Sequence, residues 1–253
     1  MSAALAQAPP APDPAPEKKL LLLVNTVRQD AGLEKLQWDA KLAEAAQAHA
    51  HELAAHRDLS HQFPGEADLT ERVAVTGARF NAAAENVAVA DDVDEVHLAL
   101  MASPGHRANI MNRDYNAVGI AAVRVGGRIY VTEDFARVFP AYSPQQFRDA
   151  VVAAFNQIRR SHRLALIDSH PDSGLDTEAC TGGGDPRLVL QGFSSATRAT
   201  MFTAFDPSDL PSTMRQAAND ASLRRMNIGV CYRSDPQTKV GKFRVLVAFF
   251  QTK

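Results

Sequence analysis

The chain is poor in the residues that mark several protein classes. Its 253 residues include only two cysteines, one tryptophan and four tyrosines. Two thiols allow at most one intramolecular disulfide. No C-x-x-C pair is present, so close-spaced zinc ribbons and thioredoxin-like redox motifs are excluded. No apolar run approaches the roughly 18 residues that a membrane-crossing helix needs; the longest, Leu20 to Val24, is a fraction of that. Neither sign of charge dominates. The 27 Lys and Arg stand against 29 Asp and Glu, for a net charge of -2, so there is no overall basic field for nucleic acid or an anionic membrane.

What remains is an ordinary globular composition, 45% hydrophobic and 22% charged. The length suits one large domain or two modest ones, because cores split as chains approach this size. Residues 1–16 are expected to be a signal-peptide remnant and a disordered Ala/Pro linker. Ala6-Gln7-Ala8 fits the small-x-small cleavage pattern, and Pro9 to Pro16 follows. This favours a secreted or periplasmic protein. Cys180 and Cys231 support the same placement if they form a disulfide, two buried thiols being the alternative.

Leu20, Leu23, Val24 and Val27 repeat at helical spacing and stop near Ala31-Gly32. A second helix opens at Asp39, an N-cap, and carries Leu42, Ala46, Ala50 and Leu53 on one face. A loop at Pro64-Gly65 precedes a short helix over Leu69 to Val75. Val93, Val96 and Leu100 mark another, and Ser103 is expected to cap the next, with Pro104 in its first turn. From Ala117 the pattern is that of strands, with Gly126-Gly127 as a hairpin turn before Ile129 to Phe135. Helices followed by an antiparallel hairpin predict an α+β domain of α-β-α layers.

The second half repeats the plan with pieces missing. The helix around Asn25 and Arg28 is echoed around Asn156 and Arg159, and Val118-Gly119-Ile120 by Ile228-Gly229-Val230. The same elements in the same order point to an internal duplication. Domains are therefore placed at 17–139 and 145–253, with the boundary in Phe139 to Pro144.

The most specific string is Met101-Ala102-Ser103-Pro104-Gly105-His106-Arg107-Ala108-Asn109-Ile110-Met111-Asn112. With Leu59-Ser60-His61, Ala84-Glu85-Asn86-Val87-Ala88, Tyr130 to Phe135, and the opening Val24-Asn25-x-x-Arg28 to Leu36-x-Trp38-Asp39, it resembles the bacterial CAP (SCP/PR-1-like) family over residues 17–139. The resemblance implies an α-β-α sandwich, followed here by a degenerate CAP-like copy. It also implies a cleft lined by two histidines and two acids. His61 and His106 fall on the histidine positions and Glu85 on the Glu-Asn position. Glu71 best matches the second acid, with Glu66 and Asp68 as alternatives, and Asn86, Ser103 and Glu133 are accessory. Ala84 departs from the family's glycine, and Glu133 stands where bacterial members often carry glutamine.

The residues support this cluster independently. His106 in a first helical turn is disfavoured as imidazolium by the helix dipole, and a neutral imidazole is the metal-binding form. Two imidazoles and one or two carboxylates suit zinc or another divalent metal, or equally a metal-free hydrogen-bonded network. Glu133 shares a strand face with Ile129, Val131 and Phe135 and needs water or a partner there. An arginine is preferred to the cleft. In His51-Glu52-Leu53-Ala54-Ala55-His56 the histidines are five apart, too far round a helix to act as a zinc-protease pair, and His49 is expected to be packed on the apolar face. The second copy lacks the histidine and Glu-Asn positions. Its Cys180-Thr181-Gly182-Gly183-Gly184-Asp185-Pro186 reads as a loop, which a Cys180–Cys231 bond would staple to the last hairpin.

Three functions compete. The resemblance implies a binding protein for a lipid, sterol or small apolar ligand, with a protein partner for the second domain. A zinc-dependent hydrolase would use His61 and His106 as ligands and Glu71 or Glu85 as base. A structural envelope protein would use the cluster only to hold loops. An enzyme is the less favoured reading.

Overall fold

A computed structural model describes residues 15–181, 190–193 and 195–251. The expected leader remnant and the glycine run Gly182 to Gly184 lie outside the described residues, apart from Ala15 and Pro16. The chain divides into two compact units. One is built from residues up to Thr76 and from Ala82–Arg137, the other from Gly77–Asn81 and from Val138 onward.

The first unit contains α1 (Pro16–Asp30), β1 (Gln37–Trp38), α2 (Ala40–His56), α3 (Leu69–Val75), β2 (Phe80–Ala90), α4 (Val93–Ala102), α5 (Pro104–Ile110), β3 (Ala117–Val125) and β4 (Arg128–Val138). Its sheet runs β1-β3-β4-β2, with β1 parallel and β4 antiparallel to β3. Helix α2 lies on one face. Helix α1 packs on β3 and α4 on the other, with α5 beside α4, which makes the α-β-α sandwich. Asp39 caps α2 as expected, accepting from the amides of Lys41 and Leu42. Leu20, Val24, Val96, Leu100, Val118, Val131 and Phe135 are buried in the core between the sheet and α1/α4. The sequence reading did not anticipate β2, because Asn81-Ala82-Ala83-Ala84 after Phe80 shows neither strand-type residues nor alternation.

The second unit contains α6 (Pro144–Ser161), β5 (Asp168–Pro171), α7 (Ser173–Thr181), β6 (Arg198–Ala204), α8 (Ser212–Ala218), β7 (Leu223–Ser234) and β8 (Gly241–Gln251). A capping box of Ser143 and Gln146 starts α6. The sheet order β5-β7-β8-β6 repeats that of the first unit, including the parallel β5/β7 pair. Cys180 bonds Cys231 with Cα atoms 5.3 Å apart. Cys180 lies in the last turn of α7, so the bond ties a helix to β7 and does not staple a loop. The residues before it form a helix because Asp172 accepts the amide of Leu175.

The repetition extends to single bonds. Asn25 Oδ1 accepts the amide of Leu36, and Asn156 Oδ1 that of Ile167, eleven residues on in both units. Arg28 Nε donates to the carbonyl of Glu34 and Arg159 Nε to that of Ala165, six residues on. The amide of Asp39 donates to Val118 O and that of Asp172 to Ile228 O. Gly119 and Gly229 fill the same role. A Cβ on Gly119 would collide with the backbone of Leu42 and Ala43, and one on Gly229 with that of Leu175 and Asp176. Each glycine lets a helix lie directly on the central strand.

Candidate functional site

Strand β2 carries the centre of the site. Neighbouring residues on a strand point to opposite faces, so Glu85 and Asn86 serve different networks. Glu85, 6% exposed, meets His61 Nδ1 through Oε1 at 2.9 Å and the Arg72 guanidinium through Oε2. Arg72 comes from α3 and is also buried; its Nη1 donates to the carbonyls of Ala67 at 2.8 Å and His61 at 3.4 Å. One carboxylate thus fixes an imidazole on one side and a guanidinium on the other.

His61 sits in the segment joining α2 to α3, and its side chain is 62% exposed. With the proton on Nδ1 directed at Glu85, Nε2 is left as a lone-pair donor. His106, in the first turn of α5, brings its ring centroid to 6.5 Å from that of His61. Burial, and then the neighbouring His61, hold its pKa below the usual histidine value. Burial leads that lowering, where the sequence pointed to the helix dipole. Ser103 precedes α5 without making a side-chain cap bond, so Pro104 alone sets the start of that helix.

His49 is the main residue that sequence reasoning left out. It is fully buried on α2, as expected of the apolar face, yet it is not inert packing. Its Nδ1 faces Glu66 Oε1 at 2.6 Å and its Nε2 the Ser60 carbonyl at 2.8 Å, with Glu85 Oε1 at 3.7 Å. Glu66 also accepts the Phe63 amide at 2.9 Å. His56 stacks on Phe63 at 4.1 Å, and His51 contacts Gln47 at the surface. Residues 57–68 are therefore held from beneath by His49, Glu66 and Arg72, which sets the position of His61. Glu66 bonds His49 and, among the described residues, neither His61 nor His106. Among the described residues Glu71 makes no carboxylate bond to either imidazole; its amide is capped by Asp68. A buried histidine between two small residues of an apolar helix face was the available signal for His49.

On the other side of β2, Asn86 Nδ2 donates to the His106 carbonyl at 3.2 Å and to Glu133 Oε2 at 3.1 Å, while its Oδ1 accepts from Asn109 at 2.9 Å. Glu133 is fully buried and its partner is Asn86, not the arginine expected from sequence. Register explains this. Glu133 opposes Ile120 in β3, and β2 on its other side supplies the Asn86 amide. Burial pushes the Glu133 pKa up to about 7, with the Asn86 bond opposing. Asp134, next along β4 and also buried, is raised well above the carboxylate range by burial and then by the Glu85 charge, against Arg72. Among the described residues Glu133 Oε1, both Asp134 oxygens and Thr132 Oγ1 have no hydrogen-bond partner.

Comparison with known proteins matches the sequence of this half of the chain to a family. The model of the cysteine-rich secretory protein (CAP) family matches residues 21–135, a span that contains neither cysteine. YkwD of Bacillus subtilis (strain 168) is 33% identical over 111 residues, 44% of this chain and 43% of that protein. The membrane protein YlbC of the same organism is 32% identical over 123 residues, 48% of this chain and 34% of that protein. The matches thus span less than half of either relative. An extracellular protein containing an SCP domain from Bacillus anthracis str. Ames superposes with a TM-score of 0.46 at 25% identity, over 52% of this chain and 45% of that one. The N-terminal half of this chain is a CAP-superfamily domain.

Proposed function

We propose that the CAP domain is an extracytoplasmic binding domain that holds a divalent cation between His61 and His106, and that it is not a hydrolase. The supporting observation is the Glu85–His61 bond, which fixes the tautomer of His61 and presents Nε2 beside the second imidazole. A carboxylate behind a ligating histidine is the usual outer-shell arrangement of imidazole metal sites. The donor set fits a weakly held, exchangeable ion. Two nitrogens fall short of the four ligands of a structural zinc, and among the described residues no three His, Cys, Asp or Glu side chains group to hold a metal. When bound, the ion would supply Lewis acidity and open coordination positions. His61 and His106 would hold it, and Glu85 would orient His61.

Of the two bases considered for a hydrolase, Glu71 bonds neither imidazole among the described residues and Glu85 is engaged by its neighbours. Glu85 is committed through both oxygens to His61 and Arg72, and Glu66 to His49 and the Phe63 amide. An oxidising, extracytoplasmic compartment is supported by the Cys180–Cys231 disulfide. Zinc titration by calorimetry at pH 7 tests the proposal. One site in the wild type, lost in both His61→Ala and His106→Ala, is the expected result. Unchanged uptake in the two variants would refute the assignment.

A further inference from the structure

The two imidazoles of the site stand on different segments, and each needs something outside its own element to hold it. His61 has Glu85. His106 lies in α5, which has seven residues and no side-chain cap bond. A helix this short is not stable by itself, so its neighbours decide where it stands.

Its tie to the sheet is Asn86, which is fully buried. A side-chain amide nitrogen carries two donors, and both are used here. Nδ2 donates to the His106 carbonyl at 3.2 Å and to Glu133 Oε2 at 3.1 Å. Oδ1 accepts from Asn109 Nδ2 at 2.9 Å, and the same Asn109 nitrogen donates to the Glu85 carbonyl at 3.3 Å. His106 and Asn109 are three apart in α5 and lie on one side of the helix. The helix is therefore fastened to β2 at two points, about one turn apart. The Asn86 amide has a single workable orientation. Turned over, its oxygen would face the His106 carbonyl and the Glu133 carboxyl oxygen, and its nitrogen the Asn109 nitrogen. Glu133 thus keeps the Asn86 donors aimed at His106, which gives a carboxyl buried in an apolar core a use.

We propose that Asn86 is the positioning residue of the site and sets where His106 stands relative to His61, with Glu133 as its anchor and Asn109 as the second tie. Glu85 and Asn86, adjacent in β2 and on opposite faces, then place one histidine each. Glu85 acts through the imidazole itself, and Asn86 through the backbone of the helix that bears it. The 6.5 Å between the ring centroids follows from this pair of neighbours. The consequence for a cation rests on the metal site proposed for His61 and His106; the placement of His106 does not. Two nitrogens held at the wrong separation bind an ion more weakly although both are present.

The test is amide hydrogen exchange of the metal-free full chain, followed by zinc titration by calorimetry at pH 7, for wild type, Asn86→Asp and Asn109→Ala. Asn86→Asp keeps the shape and replaces both donors with an acceptor. Exchange at Arg107 to Met111 should quicken at least about tenfold relative to the amides of β3, because α5 opens locally once its ties are gone. Zinc should bind at least about tenfold more weakly, the usual cost of disturbing a group that orients a ligating histidine. Asn109→Ala removes one tie and leaves Asn86 in place. Both effects should recur there at smaller size, which keeps the test decisive if Asn86→Asp does not fold. A loss of global stability alone leaves the affinity of the protein that remains folded unchanged, so the zinc titration separates positioning from packing. If the wild type binds no zinc, the metal site falls and exchange decides by itself, quickening confined to α5 upholding the placement of His106 by Asn86. Equal exchange in wild type and variants, quickening spread evenly over the first unit, or a loosened α5 with wild-type zinc affinity would overturn the proposal.

Discussion

Arg159 occupies in the second unit the place that Arg28 occupies in the first. Each is buried. Arg28 donates to the carbonyls of Glu34, Ile110, Asn112 and Tyr115, and Arg159 to those of Ala165, Ala218, Asp220 and Leu223. A guanidinium with five donors in a fixed fork satisfies two chain segments at once, and a lysine ammonium has no such geometry.

Arg28→Lys and Arg159→Lys are each expected to destabilise their own unit by about 3 kcal/mol, because buried carbonyls lose their donors. Urea unfolding measures this. The single tryptophan, Trp38, reports on the first unit alone, so its fluorescence should shift for Arg28→Lys and stay in place for Arg159→Lys. A wild-type midpoint for Arg28→Lys would sink the argument.

Glu133→Gln should make stability less dependent on pH. The carboxyl titrates near its ordinary value of 4.5 when unfolded and at about 7 when folded, so the folded state binds the extra proton between those values. Wild-type stability from this group is therefore complete below pH 4.5, declines as pH rises, and is lost above 7. A shift of 2.5 units corresponds to about 3 kcal/mol. The variant should match the wild type near pH 5 and exceed it by up to that amount at pH 8. A constant difference across pH would show that Glu133 is not the titrating group.

Reducing the Cys180–Cys231 bond should weaken the second unit selectively. Its ends are 51 residues apart, and closing a loop of that size removes about 4 kcal/mol of unfolded-state entropy at 25 °C in the chain-entropy model. In the Cys180→Ser/Cys231→Ser variant the circular-dichroism transition should split or move to lower urea while the Trp38 transition stays in place. Loss of both transitions together would contradict independent units.

Gly119→Ala and Gly229→Ala should each unfold their unit, because the added Cβ meets helix backbone that has no room to move. Gly105→Ala in α5 is the control. Nothing lies within 4 Å of its Cβ position, so the change should be neutral or stabilising by less than about 1 kcal/mol.

The periodicity of Leu20, Val24, Leu42, Ala46, Val96 and Leu100 placed three of the helices of the CAP domain, and Gly126-Gly127 its hairpin. These signals are local, arising from side chains that repeat with the turn of a helix or the pleat of a strand. The duplication was legible for the same reason, since Asn25/Arg28 and Asn156/Arg159 carry their spacing in the chain itself. Strand β2 was not legible. Its alanines carry no strand preference, and pairing with β4 decides its conformation.

For the site, the sequence by itself determined that His61, Glu85 and His106 belong together, because their flanking residues form a recognisable pattern. Only the tertiary structure decided what they do to one another. Glu85 is spent on His61 and Arg72, Glu66 bonds His49, and His49 changes from core filler to the support of a loop. Glu133 finds Asn86 where an arginine was expected. Hydrogen bonds between residues 11 to 47 positions apart depend on where folding brings their atoms, and distances of a few tenths of an ångström decide them. A one-dimensional pattern carries no such information.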